Sequence, residues 1–345
     1  MTESRKVRRV QKRRKIKKVK VFLAFILLIG LLLIGYSGYQ YIAGKNEAQN
    51  KVSGAGNEDQ ASAETTSQYK DDFKGVKSVD GKTNVLLLGT DQRGSETARS
   101  DTIIIAQYDP EKGTAKMASV MRDTYVNIPG HGYNKINSAF AFGGPELLRQ
   151  TIAENFGVDL EYYAIVDFNG FVQIADTLAP HGVTVDVEED MKYKDGSGTI
   201  DLDLQEGTQK LKGEDLLGYA RFRHDNKGDF GRVERQQKVI KLLEDKLTSF
   251  SGIMKTPRLI GNIQPYIDTN MSSGRVMGLA KDFLLNPVDD IQTTRVPERD
   301  KVWDERKPYP VGLVLAHNEE QTKEDLQNFL NGTSAGESDN DYASQ

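Results

Sequence analysis

Residues 21–43 contain no charged side chain, and the twenty residues before them carry eleven Lys and Arg against the single acid Glu3. An apolar run of that length crosses a bilayer core of roughly 30 Å as one helix. Tyr36, Tyr39 and Tyr41 fall near its far end, where aromatic rings suit the interface between lipid and water. Positive charge stays inside, so residues 1–20 read as a cytoplasmic segment and 21–43 as an uncleaved anchor. Everything after Ala43 is then expected outside. A cleaved signal peptide is the alternative, but the apolar run is longer than a usual signal core and no small-x-small cleavage site follows it. Nucleic-acid binding by the basic run is not expected, because the run abuts the apolar segment directly.

The net charge of −4 hides this asymmetry: from Val21 onward the chain holds 35 basic and 49 acidic residues. The chain has no cysteine, which excludes disulfides, thiolate catalysis and cysteine zinc sites.

Residues 44–78 mix Gly, Ser, Ala, Asn, Gln and both charges without an apolar period, and read as a solvated tether. An extracellular catalytic domain is expected over 79–315, and a short helix with a polar tail over 316–345. Short runs rich in aliphatic residues predict strands at Val85–Leu88, Thr102–Tyr108, Lys116–Val120, Tyr162–Asp167 and Gly182–Val187. Helical spacing predicts helices at Pro145–Phe156, stopped by Gly157, and at Phe168–Leu178, Gly213–Tyr219, Arg232–Phe250, Thr256–Ile267 and Ser272–Leu285. Strands interleaved with helices predict an α/β domain with a mixed central sheet.

Several kinds of chemistry are excluded by pattern. Gly75–Thr83 ends in Gly-Lys-Thr but has one residue too many between its glycines and precedes a strand, so it is not a P-loop. There is no G-x-S-x-G elbow, and the four histidines lack H-E-x-x-H spacing.

Acids and arginines remain, placed at strand ends and at a helix start. Gly89-Thr90-Asp91-Gln92-Arg93 follows the first strand, and Arg99-Ser100-Asp101-Thr102 leads into the second. If the two strands are neighbours, Asp91 and Asp101 share one sheet edge. Paired carboxylates without other donors suit Mg²⁺ or Mn²⁺, though two turn-forming aspartates would give the same spacing. Met121-Arg122-Asp123-Thr124 follows the third strand. Downstream lie Tyr219-Ala220-Arg221-Phe222-Arg223 and then Asp229-Phe230-Gly231-Arg232-Val233-Glu234-Arg235-Gln236-Gln237. If Ala220–Arg223 is extended, Arg221 and Arg223 point the same way. Arg232, Arg235 and Gln236 share a helix face near its N-terminus, which favours an anion. Arginine forks match phosphate oxygens in pairs. The alternative is local ion pairing with Asp225, Asp229 and Glu234.

The ordered motifs G-T-D-x-R, R-S-D-T, M-R-D-T, R-F-R and D-x-x-R-x-x-R-Q-Q resemble the LytR-CpsA-Psr family of cell-wall proteins. The connecting patterns Lys135-Ile136-Asn137-Ser138-Ala139 and Val166-Asp167-Phe168 add to the resemblance, which spans about residues 84–243. It implies a Mg²⁺-dependent transferase. Such an enzyme moves a glycopolymer, such as teichoic acid or capsule, from an undecaprenyl pyrophosphate carrier to peptidoglycan at the membrane of a Gram-positive type envelope. By the motifs, Asp91 and Asp101 fall on metal positions, with Asp91 also a candidate base. Arg93, Arg99, Arg122, Arg221, Arg223, Arg232 and Gln236 fall on pyrophosphate positions; Arg122, Arg221 and Arg223 are also expected to serve catalysis. Asp229 and Arg235 lie in the motifs without a fixed role. A polyprenyl phosphate-binding regulator of envelope genes and a lipid pyrophosphatase are the rival readings. One departure falls after Asp176-Thr177-Leu178, where Ala179-Pro180-His181-Gly182 replaces an immediate double glycine, near the expected lipid pocket.

Overall fold

A computed structural model describes residues 38–46, 68–78, 80–90, 100–194, 201–223, 225, 227–249, 258–262, 264–286, 288 and 291–332. The segment 21–37 of the expected anchor lies outside them. Among the described residues no helix is long and apolar enough to cross a membrane. Residues 38–46 are helical, and the Tyr41 hydroxyl donates to Gln264 Oε1 at 2.7 Å.

The centre is a six-stranded sheet. The chain enters it through β1 (Thr83–Thr90), β2 (Ser100–Asp109) and β3 (Thr114–Val120), a meander of antiparallel neighbours. After two short strands, β4 (Tyr125–Ile128) and β5 (Gly132–Lys135), and helix α1 (Ile136–Phe156), β6 (Tyr162–Asp167) returns parallel to β1. Helix α2 (Phe168–Leu178) then leads to the paired strands β7 (Val183–Val187) and β10 (Gly207–Leu211), which enclose β8 (Met191–Lys194) and β9 (Asp201–Leu204). Two helices follow, α3 (Gly213–Arg221) and α4 (Gly228–Thr248). The sheet is completed by β11 (Ile267–Thr269) beside β6 and, after α5 (Ser273–Leu285), by β12 (Ile291–Val296) parallel to β3. The strand order is β11-β6-β1-β2-β3-β12, a mixed sheet as expected. A hairpin of β13 (Val302–Lys307) and β14 (Gly312–His317), then α6 (Glu319–Asn331), close the fold.

The period-two alternation of a strand sorts the sheet's two faces. Leu86, Leu88, Ile103 and Ile105 point to one side and are at most 2% exposed, packed with Leu148, Ile152 and Phe156 of α1. Full burial of such a side chain contributes about 1.5–3 kcal/mol. Their alternates Leu87, Gly89, Thr102 and Ile104 face the other side, under α2, α3 and α4. A second, smaller core lies beyond those helices, joining Leu216 and Tyr219 of α3 and Val239 of α4 to Val185, Met191, Leu202 and Leu211. The molecule is therefore layered helix–sheet–helix, with room left between the sheet and the α2–α4 layer.

Several boundaries differ from expectation. The predicted strands and helices at Tyr162–Asp167 and Phe168–Leu178 coincide with β6 and α2. Helix α1 includes the expected Pro145–Phe156 segment, separated from an earlier piece by non-helical Gly143 and Gly144, and Gly157 ends it with φ 66°. Ala220–Arg223 is not extended, because α3 continues to Arg221 and only Phe222 turns out of it. Helix α4 begins at Gly228, not Arg232, so Arg232 sits in its second turn. Among the described residues of the expected helix Thr256–Ile267, 258–262 are helical, Gln264–Tyr266 form a 3₁₀ turn, and Ile267 begins β11. The main core also reaches beyond the domain limits read from composition. Phe73, within the expected tether, packs its ring 4.9 Å from that of Tyr163, and Leu326 and Leu330 of α6 are buried with it.

Candidate functional site

The sheet places most of the singled-out residues at one edge. β1, β3, β6 and β12 end there and β2 begins there, because β2 is antiparallel and the rest run together. Loops at the carboxyl ends of parallel strands are where ligands bind in sheets of this kind. Met121 fixes the exit of β3 by donating its N–H to Val296 O (2.8 Å), and Thr124 closes the turn onto Met121 O. Arg122 is thereby held at the edge.

Its guanidinium reaches Asp229 in the first turn of α4, Nη2 to Oδ2 at 3.2 Å. The same carboxylate takes Arg232 Nη1 at 3.2 Å and lies 4.0 Å from Arg223 Nη1. Arg122 also approaches Asp123 at 3.4 Å, but Asp123 is balanced by Lys135 at 3.0 Å. Arg221 joins from the end of α3, its guanidinium stacked 3.9 Å from the centre of the Phe168 ring. Three guanidinium groups thus meet one carboxylate, and Arg221 lines the same cavity as two of them.

A cavity of about 310 Å³ opens beneath this cluster, between the sheet and the α2–α4 layer. Arg221, Arg223, Arg232 and Gln236 line it together with Leu87, Ile104, Phe171, Ile174 and Leu217. Helix α4 shows how its polarity is graded. Arg232, Gln236, Val239, Ile240 and Leu243 all line the cavity, and their spacing places them along one stripe. At 1.5 Å per residue the stripe runs roughly 16 Å, from guanidinium to hydrocarbon. Gly89 keeps the floor open, since a Cβ there would come within 3.0 Å of Thr102 Cβ. Gln236 is held by donating to Thr102 Oγ1 at 3.1 Å.

The other motif residues separate from these. Arg235 turns away from the cavity: Nη1 donates to Asp225 Oδ2 and Nη2 to Phe222 O, both at 2.6 Å, the second bond buried and the first partly so. It braces the α3–α4 connection and so does not share a binding face with Arg232 and Gln236. Asp91, Arg93 and Arg99 lie outside the described residues, as does the side chain of Asp101. The β1–β2 register does set Thr90 opposite Ser100, the residues immediately before Asp91 and Asp101. Among the described residues no group of three or more His, Asp or Glu could hold a metal ion. The Ala179–Gly182 departure forms a turn after α2, with Ala179 in the second core and none of the four residues on the cavity wall.

Sequence reasoning passed over Asp167 as a site residue. It caps α2 by accepting from Gly170 N–H at 2.7 Å, and it lies on the cavity wall, where burial pushes its carboxyl above the ordinary range. An Asp between an apolar strand and a helical run is a capping signal and shows nothing of a cavity, which only the parallel pairing of β6 with β1 creates.

The site thus joins an apolar cavity to a cluster of arginines at the carboxyl ends of the sheet strands. Residues 39–327 match the LytR_cpsA_psr family, and the chain belongs to it. It is 41% identical over 258 residues, 75% of this chain and 77% of the other, to regulatory protein MsrR of Staphylococcus aureus strain COL. It is 30% identical over 310 residues, 88% of this chain and 94% of the other, to the polyisoprenyl-teichoic acid–peptidoglycan teichoic acid transferase TagU of Bacillus cereus. The solved structure of the LytR-CPS2A-psr family protein YwtF (TagT), a Bacillus subtilis protein, with bound octaprenyl pyrophosphate lipid, is similar with a TM-score of 0.52. That match has 28% identity and covers 74% of this chain and 94% of that one.

Proposed function

We propose that the chain is a membrane-anchored phosphotransferase that moves an anionic glycopolymer from an undecaprenyl pyrophosphate carrier to peptidoglycan. The observation that carries the reading is the three-arginine cluster around Asp229, with Arg221 beside it on the wall of an apolar cavity. A pyrophosphate matches the cluster and a polyprenyl chain matches the cavity. The activity named for TagU and the lipid bound to TagT support the same assignment.

In the proposed reaction an acceptor hydroxyl of peptidoglycan, on its muramic acid ring, attacks the sugar-side phosphorus. The bond from that phosphorus to the bridging oxygen breaks, undecaprenyl phosphate leaves with the electron pair, and a phosphodiester remains on the acceptor. Arg122, Arg221, Arg223 and Arg232 hold the pyrophosphate and oppose the charge that gathers on the departing oxygen. Gln236, fixed to Thr102, offers its remaining amide capacity beside them. Asp91 and Asp101 are the residues that would hold Mg²⁺ or Mn²⁺: both are hard oxygen donors, and the opposition of Thr90 and Ser100 suits a pair at one edge. Such an ion, when bound, neutralises phosphate charge. The anchor of residues 21–43 would keep the domain outside the cell, close to its lipid substrate.

A second reading draws on the name of MsrR: the same site would bind the lipid phosphate without turnover and signal to envelope gene expression. The deciding experiment incubates the purified full chain with lipid-linked glycopolymer, with and without peptidoglycan. Release of polyprenyl phosphate only when the acceptor is present supports the transferase. Release in its absence indicates hydrolysis, and binding with no release in either case indicates the regulator.

A further inference from the structure

The cluster around Asp229 has a cationic neighbour on a different face of α4. Phe230 and Glu234, four residues apart, share a face turned away from the cavity stripe. Two guanidinium groups sit against the Phe230 ring, Arg295 at 5.0 Å and Arg299 at 5.5 Å from its centre. Glu234 lies 3.9 Å from Arg295 and 2.9 Å from Lys227. Glu298 is engaged by Lys301, which also meets Asp325, and Asp300 is exposed on the intervening turn.

The sheet explains why this patch adjoins the cavity mouth. Arg295 pairs with Ser119 and Val296 with Val120 in parallel register, and Met121 N–H bonds to Val296 O. The segment leaving β12 therefore runs beside the segment that carries Arg122. Phe230 follows Asp229 directly, so the aromatic platform and the hub of the arginine cluster are consecutive residues of one helix turn. A guanidinium stacked on a ring is held in place without losing its charge, and Arg295, mostly covered and facing Glu234, shares the ring with the exposed Arg299. Arg299 is exposed, so its edge is open to solvent.

We propose that Arg299, held beside Arg295 on the Phe230 ring, forms a second anion subsite that takes a phosphate of the polymer's first repeat units while the pyrophosphate occupies the Asp229 cluster. The inference rests on the transferase reading and assigns it a substrate class: polymers with anionic groups near the carrier end. Neutral glycans would gain nothing there.

The test measures binding of two probes by the full chain in detergent. One is octaprenyl pyrophosphate bearing a single neutral disaccharide; the other bears the same disaccharide extended by several glycerol phosphate units. The wild type is expected to bind the extended probe more tightly, with a margin that shrinks as salt rises. Arg299→Gln should remove most of that margin, about 10-fold for a charged hydrogen-bonded contact, and Arg299→Glu should remove all of it. Neither variant should change affinity for the neutral probe or lower Tm, because Arg299 lies on the surface. Equal wild-type affinity for the two probes overturns the subsite alone, as does an Arg299→Gln variant that weakens both probes equally. Failure of the wild type to bind either probe overturns the transferase reading as well.

Discussion

Arg235 and Asp225 form an ion pair with an Nη1–Oδ2 distance of 2.6 Å, each side chain only 6% exposed. Arg232, three residues earlier on the same helix, is equally buried yet reaches into the cavity. Two arginines of one motif thus do different work. Arg235 ties the end of α3 to the start of α4, while Arg232 lines the cavity and pairs with Asp229. Burial alone would raise the Asp225 carboxyl, but the hydrogen bond and charge of Arg235 outweigh it, so the group stays below the ordinary range.

Arg235→Ala should therefore destabilise the protein by about 3–5 kcal/mol, because it leaves Asp225 buried without its counter-charge. The double variant with Asp225→Ala should lose less than the two single losses combined, measured by denaturant unfolding. A depressed carboxyl contributes stability that is present above its unfolded value near 3.8 and is lost as pH falls through the folded value. The cost of Arg235→Ala should accordingly shrink in acid.

Arg223 provides the contrasting case. It is 45% exposed on its side chain and 4.0 Å from Asp229, so it contributes less than about 1 kcal/mol to stability. Arg223→Lys keeps the charge and loses the paired N–H fork. Octaprenyl pyrophosphate binding should weaken by about 1–3 kcal/mol, with Tm unchanged. A variant that binds normally and melts several degrees lower would make Arg223 a structural residue.

Asp167 combines a cap with a half-buried carboxyl. Asp167→Asn keeps the capping acceptor and removes the ionisable group, whereas Asp167→Ala loses the cap at a cost of about 0.5–2 kcal/mol. The raised carboxyl of Asp167 means that the folded state holds its proton more firmly than the unfolded one. Stability associated with it is present below the unfolded value near 3.8 and declines as pH rises through the folded value. Asp167→Asn should therefore be more stable than wild type at neutral pH, the difference vanishing in acid. Thermal melts across pH check both parts.

The legible part of the fold is the part whose burial is simple. β1, β2, β3 and β6 are apolar runs covered on both faces, and α2 has a capping Asp before a regular apolar period. The start of α4 was hidden because Gly228-Asp229-Phe230-Gly231 has neither helix propensity nor an apolar stripe. Its first turn is supported from outside the helix, by Asp225 accepting from Lys227 N–H and Gly228 N–H. β12, β13 and β14 include Ile-Gln-Thr-Thr-Arg-Val and Val-Trp-Asp-Glu-Arg-Lys, whose pairing partners lie far away in sequence or across a polar hairpin. For the site, charge type and order singled out Arg122, Arg221, Arg223, Arg232 and Gln236; the last four line one cavity, and Arg122 meets Arg232's partner Asp229. Spacing could not separate Arg235 from Arg232, because they differ only in which side of α4 meets the α3 turn. Nor could it expose the Phe230 platform, which exists only once β12 has paired with β3.

The central claim concerns the fate of the sugar-side phosphate. The decisive measurement supplies the full chain with lipid-linked glycopolymer labelled at that phosphorus, together with peptidoglycan and Mg²⁺, and follows the label. The account predicts label in a phosphodiester on peptidoglycan, with unlabelled polyprenyl phosphate released in equal amount. Label recovered as a free glycopolymer phosphate, or retained on the lipid carrier throughout, would contradict it.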